Sequence, residues 1–233
     1  MSISSVIFDF GSTLIRESAF CPEEGQRFLL SRATSPHKVR DSELRDFDGK
    51  VFPDMLQRRE RSGLDFPLTQ YLNLMQACLG IRWQHDLEEL AFGCWLRQYK
   101  PILEKGAAEC LQQLRKNGLR LGLLSNTILS GKSVRLGLGK LGILQFFDAV
   151  LCSSDIGYRK PDQLIFRAIL GLLGAQPGES AMVGDNLRDD IAGAASVGMT
   201  TVWYNCGGLP QEEIKPDYIV QDLTSVPRVL GIS

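Results

Sequence analysis

The chain has 233 residues, 44% hydrophobic and 23% charged, and 26 basic side chains against 27 acidic ones leave a net charge of −1. That balance excludes a disordered chain, a collagen and a coiled coil, and it offers no global basic field to hold nucleic acid. No apolar run approaches the ~18 residues of a membrane span, and the stretch from Met1 to Phe10 lacks a basic segment and already carries Asp9, so neither a membrane anchor nor a signal peptide is expected and the expected location is cytoplasmic.

Residues 4–10 (SSVIFDF) form an apolar run ended by Gly11 and Ser12, the pattern of a buried strand. Residues from about 16 to 100 are different: rich in charge and aromatics, with no clear buried strand. One helix is expected to begin at Phe28, Leu29 and Leu30. A second covers 42–61, with Pro53 expected to break or kink it. Two more cover 67–79 and 86–99. The stretch reads as a helical insert of residues 16–100 in a core made of 1–15 and 101–233. Trp83, Phe92, Trp95 and Tyr99 stand at near-helical spacing and are expected in the core of the insert.

From Leu103 the rhythm becomes helix, strand, helix, strand. Ala107, Leu111 and Leu114 share one helical face, and Asn117-Gly118 stops that helix. A strand follows at 119–124, a helix at 133–144 and a short strand at 149–152. Pro161 suits the first turn of a helix, whose apolar stripe is Leu164, Ile165, Ala168, Ile169, Leu172 and Leu173. A strand at 181–183 leads into a helix ending at Val197-Gly198, and strands at 200–204 and 218–220 complete the pattern. Such alternation implies an α/β fold: a doubly wound, Rossmann-like parallel sheet covered on both faces.

The six cysteines are scattered without a CxxC pair, and only two histidines exist. Buried thiols are therefore expected, rather than a zinc site or a disulfide framework. Gly137 to Gly142 matches GxGxxG but follows a helical stretch rather than a strand, so the match is chance.

In a doubly wound sheet the ligand site lies beyond the carboxyl ends of the strands. Asp9, Gly11, Ser12 and Thr13 follow the first core strand; Ser125 and Asn126 follow the second; Lys160 lies after the third; Asp185, Asn186, Asp189 and Asp190 follow the fourth. All four loops open on one edge. Carboxylates gathered there repel each other unless a cation sits between them, and an all-oxygen set suits magnesium. Lys160 adds positive charge for a phosphate, and Ser125, Asn126 and backbone N–H groups can hold phosphate oxygens. A carboxylate beside magnesium can act as a nucleophile.

Four segments carry a family resemblance: Phe8-Asp9-Phe10-Gly11-Ser12-Thr13-Leu14, Leu123-Leu124-Ser125-Asn126, Gly157 to Asp162 with Ile165-Phe166, and Val183-Gly184-Asp185-Asn186 through Asp190 to Ala194. In this order the chain resembles the haloacid dehalogenase-like (HAD) hydrolases, in the subfamily with a helical cap after the first motif. The resemblance implies that Asp9 is the nucleophile and a magnesium ligand, and that Gly11 offers its backbone carbonyl to the metal. It makes Asp185 the remaining protein ligand, with Asp189, Asp190 and Thr13 around it. Ser125 and Asn126 would bind the phosphoryl group, and Lys160 would pair with Asp9 and the phosphate.

One departure stands out. The common phosphatase pattern has a general acid/base Asp two residues after the nucleophile, where this chain has Gly11, and the usual Gly that follows is Ser12. Loss of a general acid/base costs ~10²–10⁴-fold in rate. Glu17, Asp54 or Asp65 in the insert could stand in. The expected function is hydrolysis of a small phosphorylated metabolite. The alternatives are a weak or inactive relative that binds a phosphorylated ligand or a protein partner, and a dehalogenase-type hydrolase. The sequence leaves the substrate and the oligomeric state open.

Overall fold

The structure is a computed structural model that describes residues 2–34, 39–210 and 213–232. At its centre, six strands pair in parallel: β1 (Ser5–Phe8), β4 (Arg120–Ser125), β5 (Ala149–Cys152), β6 (Ser180–Gly184), β7 (Thr200–Tyr204) and β8 (Tyr218–Val220). Their order is β5-β4-β1-β6-β7-β8. The chain therefore runs from β1 outward through β4 and β5, then crosses to β6 and continues outward on the other side. The reversal falls at β1, between β4 and β6, and it opens a crevice at the carboxyl ends of these strands.

Alternation along β1 shows how both faces are used. Val6 and Phe8 join the cluster that holds Ala107, Cys110, Leu111 and Leu114 of α5 (Ala107–Lys116). Ile7 points the other way, into the cluster with Ile165, Phe166, Ile169, Leu170 and Leu173 of α8 (Gln163–Leu173). The stripe of α8 is thus rotated from the expected one. Leu164 and Leu172 are exposed, at 50% and 63%, and Phe166 and Leu170 take the inward positions. Pro161 lies before this helix rather than in its first turn, which the Asp162 side chain caps by accepting the Leu164 N–H at 2.8 Å.

Two short strands escape the sequence pattern: β2 (Ile15–Glu17) and β3 (Pro101–Leu103), paired antiparallel. Three residues are too few to show a period. Four helices lie between them: α1 (Pro22–Ser31), α2 (Asp41–Ser62), α3 (Leu68–Leu79) and α4 (Leu87–Tyr99). Phe28–Leu30 form the end of α1, not its start. Pro22 in its first turn, followed by Glu23 and Glu24, sets the beginning. α2 continues unbroken through Pro53. Packing in the turns before the proline offsets the lost hydrogen bond: Phe47 and Phe52 both lie against Tyr71 of α3, with ring centroids 5.6 and 5.3 Å apart. Phe92 and Trp95 are buried on α4, whereas Trp83 lies outside any helix, in a bridge to Ala33.

The helices meet the loops of the sheet at several points. The Asp65 side chain is fully buried, receives the Ser153 hydroxyl at 2.6 Å and pairs with Arg59 at 2.9 Å. The Leu68 N–H donates to the Ile128 carbonyl at 2.6 Å, and Arg159 pairs with Glu60 at 2.9 Å. Ser133 donates to Glu88 of α4 at 2.8 Å.

The helix expected at 133–144 is α6 (Gly131–Lys140), and Gly142, at φ 72°, separates it from a 3₁₀ turn at Leu144–Phe146. A four-residue helix, α7 (Ser153–Ile156), stands directly after β5. All six cysteines are free; Cys94, Cys110 and Cys152 are buried, while Cys78 and Cys206 are exposed. Among the described residues, no helix is long and apolar enough to cross a membrane.

Candidate active site

Four loops deliver polar side chains to the crevice beside β1. The Asp9 N–H bonds the Val183 carbonyl at 2.9 Å, which extends the β1–β6 register one residue and aims Asp9 out of the sheet edge. Lys160 arrives from the loop after β5 and is only 3% exposed. Its ammonium donates to Asp9 Oδ1 at 2.6 Å, to Asp190 Oδ1 at 2.5 Å and to the Leu124 carbonyl at 3.0 Å. Each ammonium hydrogen therefore has one acceptor, and the head group is fixed in place.

Asp190 reaches this point through a feature the sequence did not disclose. The segment expected to be an ordinary helix opens with a π-helical turn, Leu187–Ala192, before a short α9 (Gly193–Ser196). Asn186 caps the turn by accepting the Arg188 and Asp189 N–H groups at 3.0 and 2.9 Å. Asp190 is then pressed onto the end of β6, and the Asn186 N–H donates to its Oδ2 at 3.0 Å. A Cβ on Gly184 would lie 2.3 Å from the Asp190 carboxyl group, so only glycine leaves room for it.

Asp9, Asp185 and Asp190 each offer a carboxylate oxygen within 4.8 Å of the others. Burial is the main force pushing Asp9 up to about 7; Lys160 pulls it back, and Asp190 and Asp185 push it further up. Burial, then Asp190, pushes Asp185 up to about 6. Burial alone would lower the Lys160 ammonium, but Asp190 and Asp9 outweigh it and hold the group above the usual lysine range. Three clustered carboxylates against one ammonium leave uncompensated negative charge. The oxygen-only donor set is of the kind that a hard divalent cation such as magnesium satisfies.

The remaining candidates take distinct places. The Thr13 hydroxyl donates to Asp185 Oδ1 at 3.3 Å. Asp189 stands beside the cluster and accepts from the Asn126 amide at 3.2 Å. Ser125 is the buried last residue of β4. Asn126 differs from the expectation that its side chain binds a phosphoryl group. Its amide donates to the Lys160 carbonyl at 2.8 Å as well as to Asp189, and its Oδ1 accepts the Lys160 N–H at 2.8 Å. Both amide hydrogens are used, so the side chain acts as a clasp on the lysine loop. Trp203 is an addition: its indole N–H donates to the Asp185 carbonyl at 2.8 Å and anchors that loop from β7. Nothing in the local sequence around Trp203 points to this contact.

Gly11 lies between Asp9 and Thr13, and a Cβ there would meet nothing within 4 Å. Ser12 has a left-handed backbone, φ 58°, and is exposed. For a residue with a Cβ that conformation costs ~1–2 kcal/mol. Glycine relieves the strain but gains freedom in the unfolded chain. Ser12→Gly is therefore expected to raise stability by about 0.5–1 kcal/mol, read as an upward shift of the urea midpoint at unchanged slope. Of the carboxylates that could replace an acid/base at Gly11, Asp65 is tied to Arg59 and Ser153, and Asp54 pairs with Arg58 at the surface. Glu17 lines a cavity next to the site, and burial raises its pKa.

Residues 3–198 match the haloacid dehalogenase-like hydrolase family. A pyrophosphatase PpaX from Bacillus cereus is 26% identical, with 99% of this chain and 98% of that protein covered. A phosphoserine phosphatase from Thermus thermophilus is 37% identical over 139 residues, which cover 59% of this chain and 55% of that protein. Among solved structures, a HAD phosphatase from Thermococcus onnurineus superposes with a TM-score of 0.66 at 28% identity, covering 99% and 98% of the two chains.

Proposed function

The chain belongs to the haloacid dehalogenase-like hydrolases, and we propose that within them it is a magnesium-dependent phosphatase of small phosphorylated molecules. The observation that carries this reading is the buried Asp9 held at 2.6 Å by a buried Lys160, with Asp185 and Asp190 alongside. The names of the relatives, pyrophosphatase and phosphoserine phosphatase, support phosphoryl chemistry.

In this reading Asp9 attacks phosphorus, the ester oxygen departs with the alcohol, and an aspartyl-phosphate forms. Water then cleaves it and restores the carboxylate. Lys160 opposes the burial that favours the protonated form of Asp9 and faces the charge that develops on the phosphoryl oxygens. The Ser125 hydroxyl and backbone N–H groups after β4 hold those oxygens, because the Asn126 side chain is engaged with Lys160. Asp9, Asp185 and the Gly11 carbonyl would hold magnesium, which would supply positive charge against the phosphoryl oxygens. Asp190 keeps Lys160 in place, and Thr13 orients Asp185. Helices α1–α4 serve as a cap that excludes water and selects the substrate.

Phosphate release from an activated aryl phosphate tests this reading. Wild type is expected to need magnesium and to lose activity on chelation. Asp9→Asn is expected to lose at least about 10³-fold, because the nucleophile itself is gone. Activity that survives in Asp9→Asn, or that ignores chelation, would overturn the proposal.

A further inference from the structure

Helices α1–α4 and the loop after β4 enclose a cavity of about 550 Å³. That is the size of a site for a whole small organic molecule. Inorganic pyrophosphate would fill a small part of it. Its floor is the segment from Asn126 to Leu129. Asn126 is the junction with the catalytic cluster, because the same residue clasps the Lys160 main chain and bonds Asp189. The wall is mainly apolar and aromatic, with Phe52, Tyr71, Met75, Trp95 and Tyr99 prominent.

Few charges face this space. Arg59 is paired with the buried Asp65, at 2.9 Å through Nε and 3.2 Å through Nη2. Glu17 stands where β2 ends. Asp48 projects from α2, and its Oδ2 accepts the Gln26 amide. Its Oδ1 is buried and has no hydrogen-bond partner among the described residues. A carboxylate oxygen in that state is unfavourable, and a donor on a bound molecule relieves it. Burial pushes Asp48 up to about 6, and a cation beside it favours the ionised form. An ionised carboxylate among aromatic faces is a setting for an ammonium group.

We propose that this cavity holds the organic part of the phosphate ester, and that this part is an aryl or other apolar group bearing an ammonium and no second anion. The assignment rests on the phosphatase reading above and deepens it. Asp48 and Glu17 line the cavity and disfavour a carboxylate or a second phosphate there, and among the described lining residues the one cation, Arg59, is already paired.

Three aryl phosphates with similar leaving groups test it: tyramine phosphate, para-propylphenyl phosphate, and the phosphate of para-hydroxyphenylpropionate. They differ in the charge of the distal tail, not in the reacting bond. Wild type is expected to favour the ammonium ester over the carboxylate ester by about tenfold or more in kcat/KM, with the neutral ester between. Asp48→Asn is expected to erase the advantage of the ammonium over the neutral ester. Equal rates for all three, or a preference for the carboxylate, would overturn the inference while leaving the phosphatase reading intact. If none is hydrolysed in magnesium, release from the activated aryl phosphate decides the phosphatase reading, and quenching of tryptophan fluorescence by the three free phenols decides the cavity by itself. Tightest binding of tyramine supports the assignment; flat or carboxylate-first binding overturns it.

Discussion

Gly11→Asp is expected to raise the turnover of alkyl phosphate monoesters about 10²–10⁴-fold while leaving activated aryl phosphates nearly unchanged. The reasoning is geometric as well as chemical. A Cβ at Gly11 meets nothing within 4 Å, so an aspartate enters without displacing a neighbour. An alkoxide is a poor leaving group and needs a proton as the P–O bond breaks, whereas an activated phenolate does not. The gain should therefore track the basicity of the leaving group, measured as the slope of log kcat/KM across a series of esters. Wild type should show the steeper slope. The substitution has an opposing cost. A further carboxylate joins Asp9, Asp185 and Asp190, and the metal-free variant should be less stable by about 1–2 kcal/mol. Unchanged turnover of alkyl esters would mean that another group already supplies the proton. Glu17, which lines the adjoining cavity, is then the residue to replace by glutamine.

Lys160→Met should be the most damaging single change. The side chain is of similar length, so the loss is mainly of charge and three hydrogen bonds. Asp9 and Asp190 remain buried without their partner, and breaking a buried ion pair in this way costs about 3–5 kcal/mol. Activity on aryl phosphates should fall at least about 10²–10³-fold, the effect of removing one donor from a site of developing charge. The stability loss should depend on pH. A carboxyl group whose folded pKa stands above its unfolded value contributes fully only below the unfolded value. It loses that contribution as pH rises through the folded pKa. Asp9 stands at about 7 against 3.8 unfolded, with Lys160 holding it down. Without the lysine it stands higher still, so the variant forfeits more than wild type between pH 4 and pH 8. Urea midpoints at about pH 5 and pH 8 should differ more in Lys160→Met than in wild type. A loss independent of pH would mean that the lysine acts through packing alone.

The α/β alternation was legible because the core strands stand as apolar runs bounded by turn residues and the core helices carry an apolar stripe. β5, β7 and β8 begin and end where the apolar runs do, and α5 stops at Asn117-Gly118. The elements that escaped are short or irregular: β2, β3, α7 and the π turn at Leu187–Ala192. None of the short ones stands as a bounded apolar run of its own, and a π turn has nearly the same side-chain pattern as an α-helix. The start of α1 was misplaced because Pro22 and two glutamates, rather than an apolar stripe, define it.

For the site, the sequence alone determined which residues are candidates. Asp9, Ser125, Asn126, Lys160, Asp185, Asp189 and Asp190 all follow strands of one parallel sheet, and parallel strands put their carboxyl ends on one edge. Strand order alone therefore brings them close. What each side chain does there was decided by tertiary structure. Asn126 became a clasp on the Lys160 loop, Asp190 a partner of Lys160, and Trp203 an anchor for Asp185. The cavity around Asp48 is likewise invisible in the chain, since four helices and a loop from distant positions form its wall. Strand and helix periods are local properties that neighbouring residues set. Hydrogen-bond partners, desolvation and enclosed volume arise between segments far apart in sequence, and they exist only once the sheet has brought those segments together.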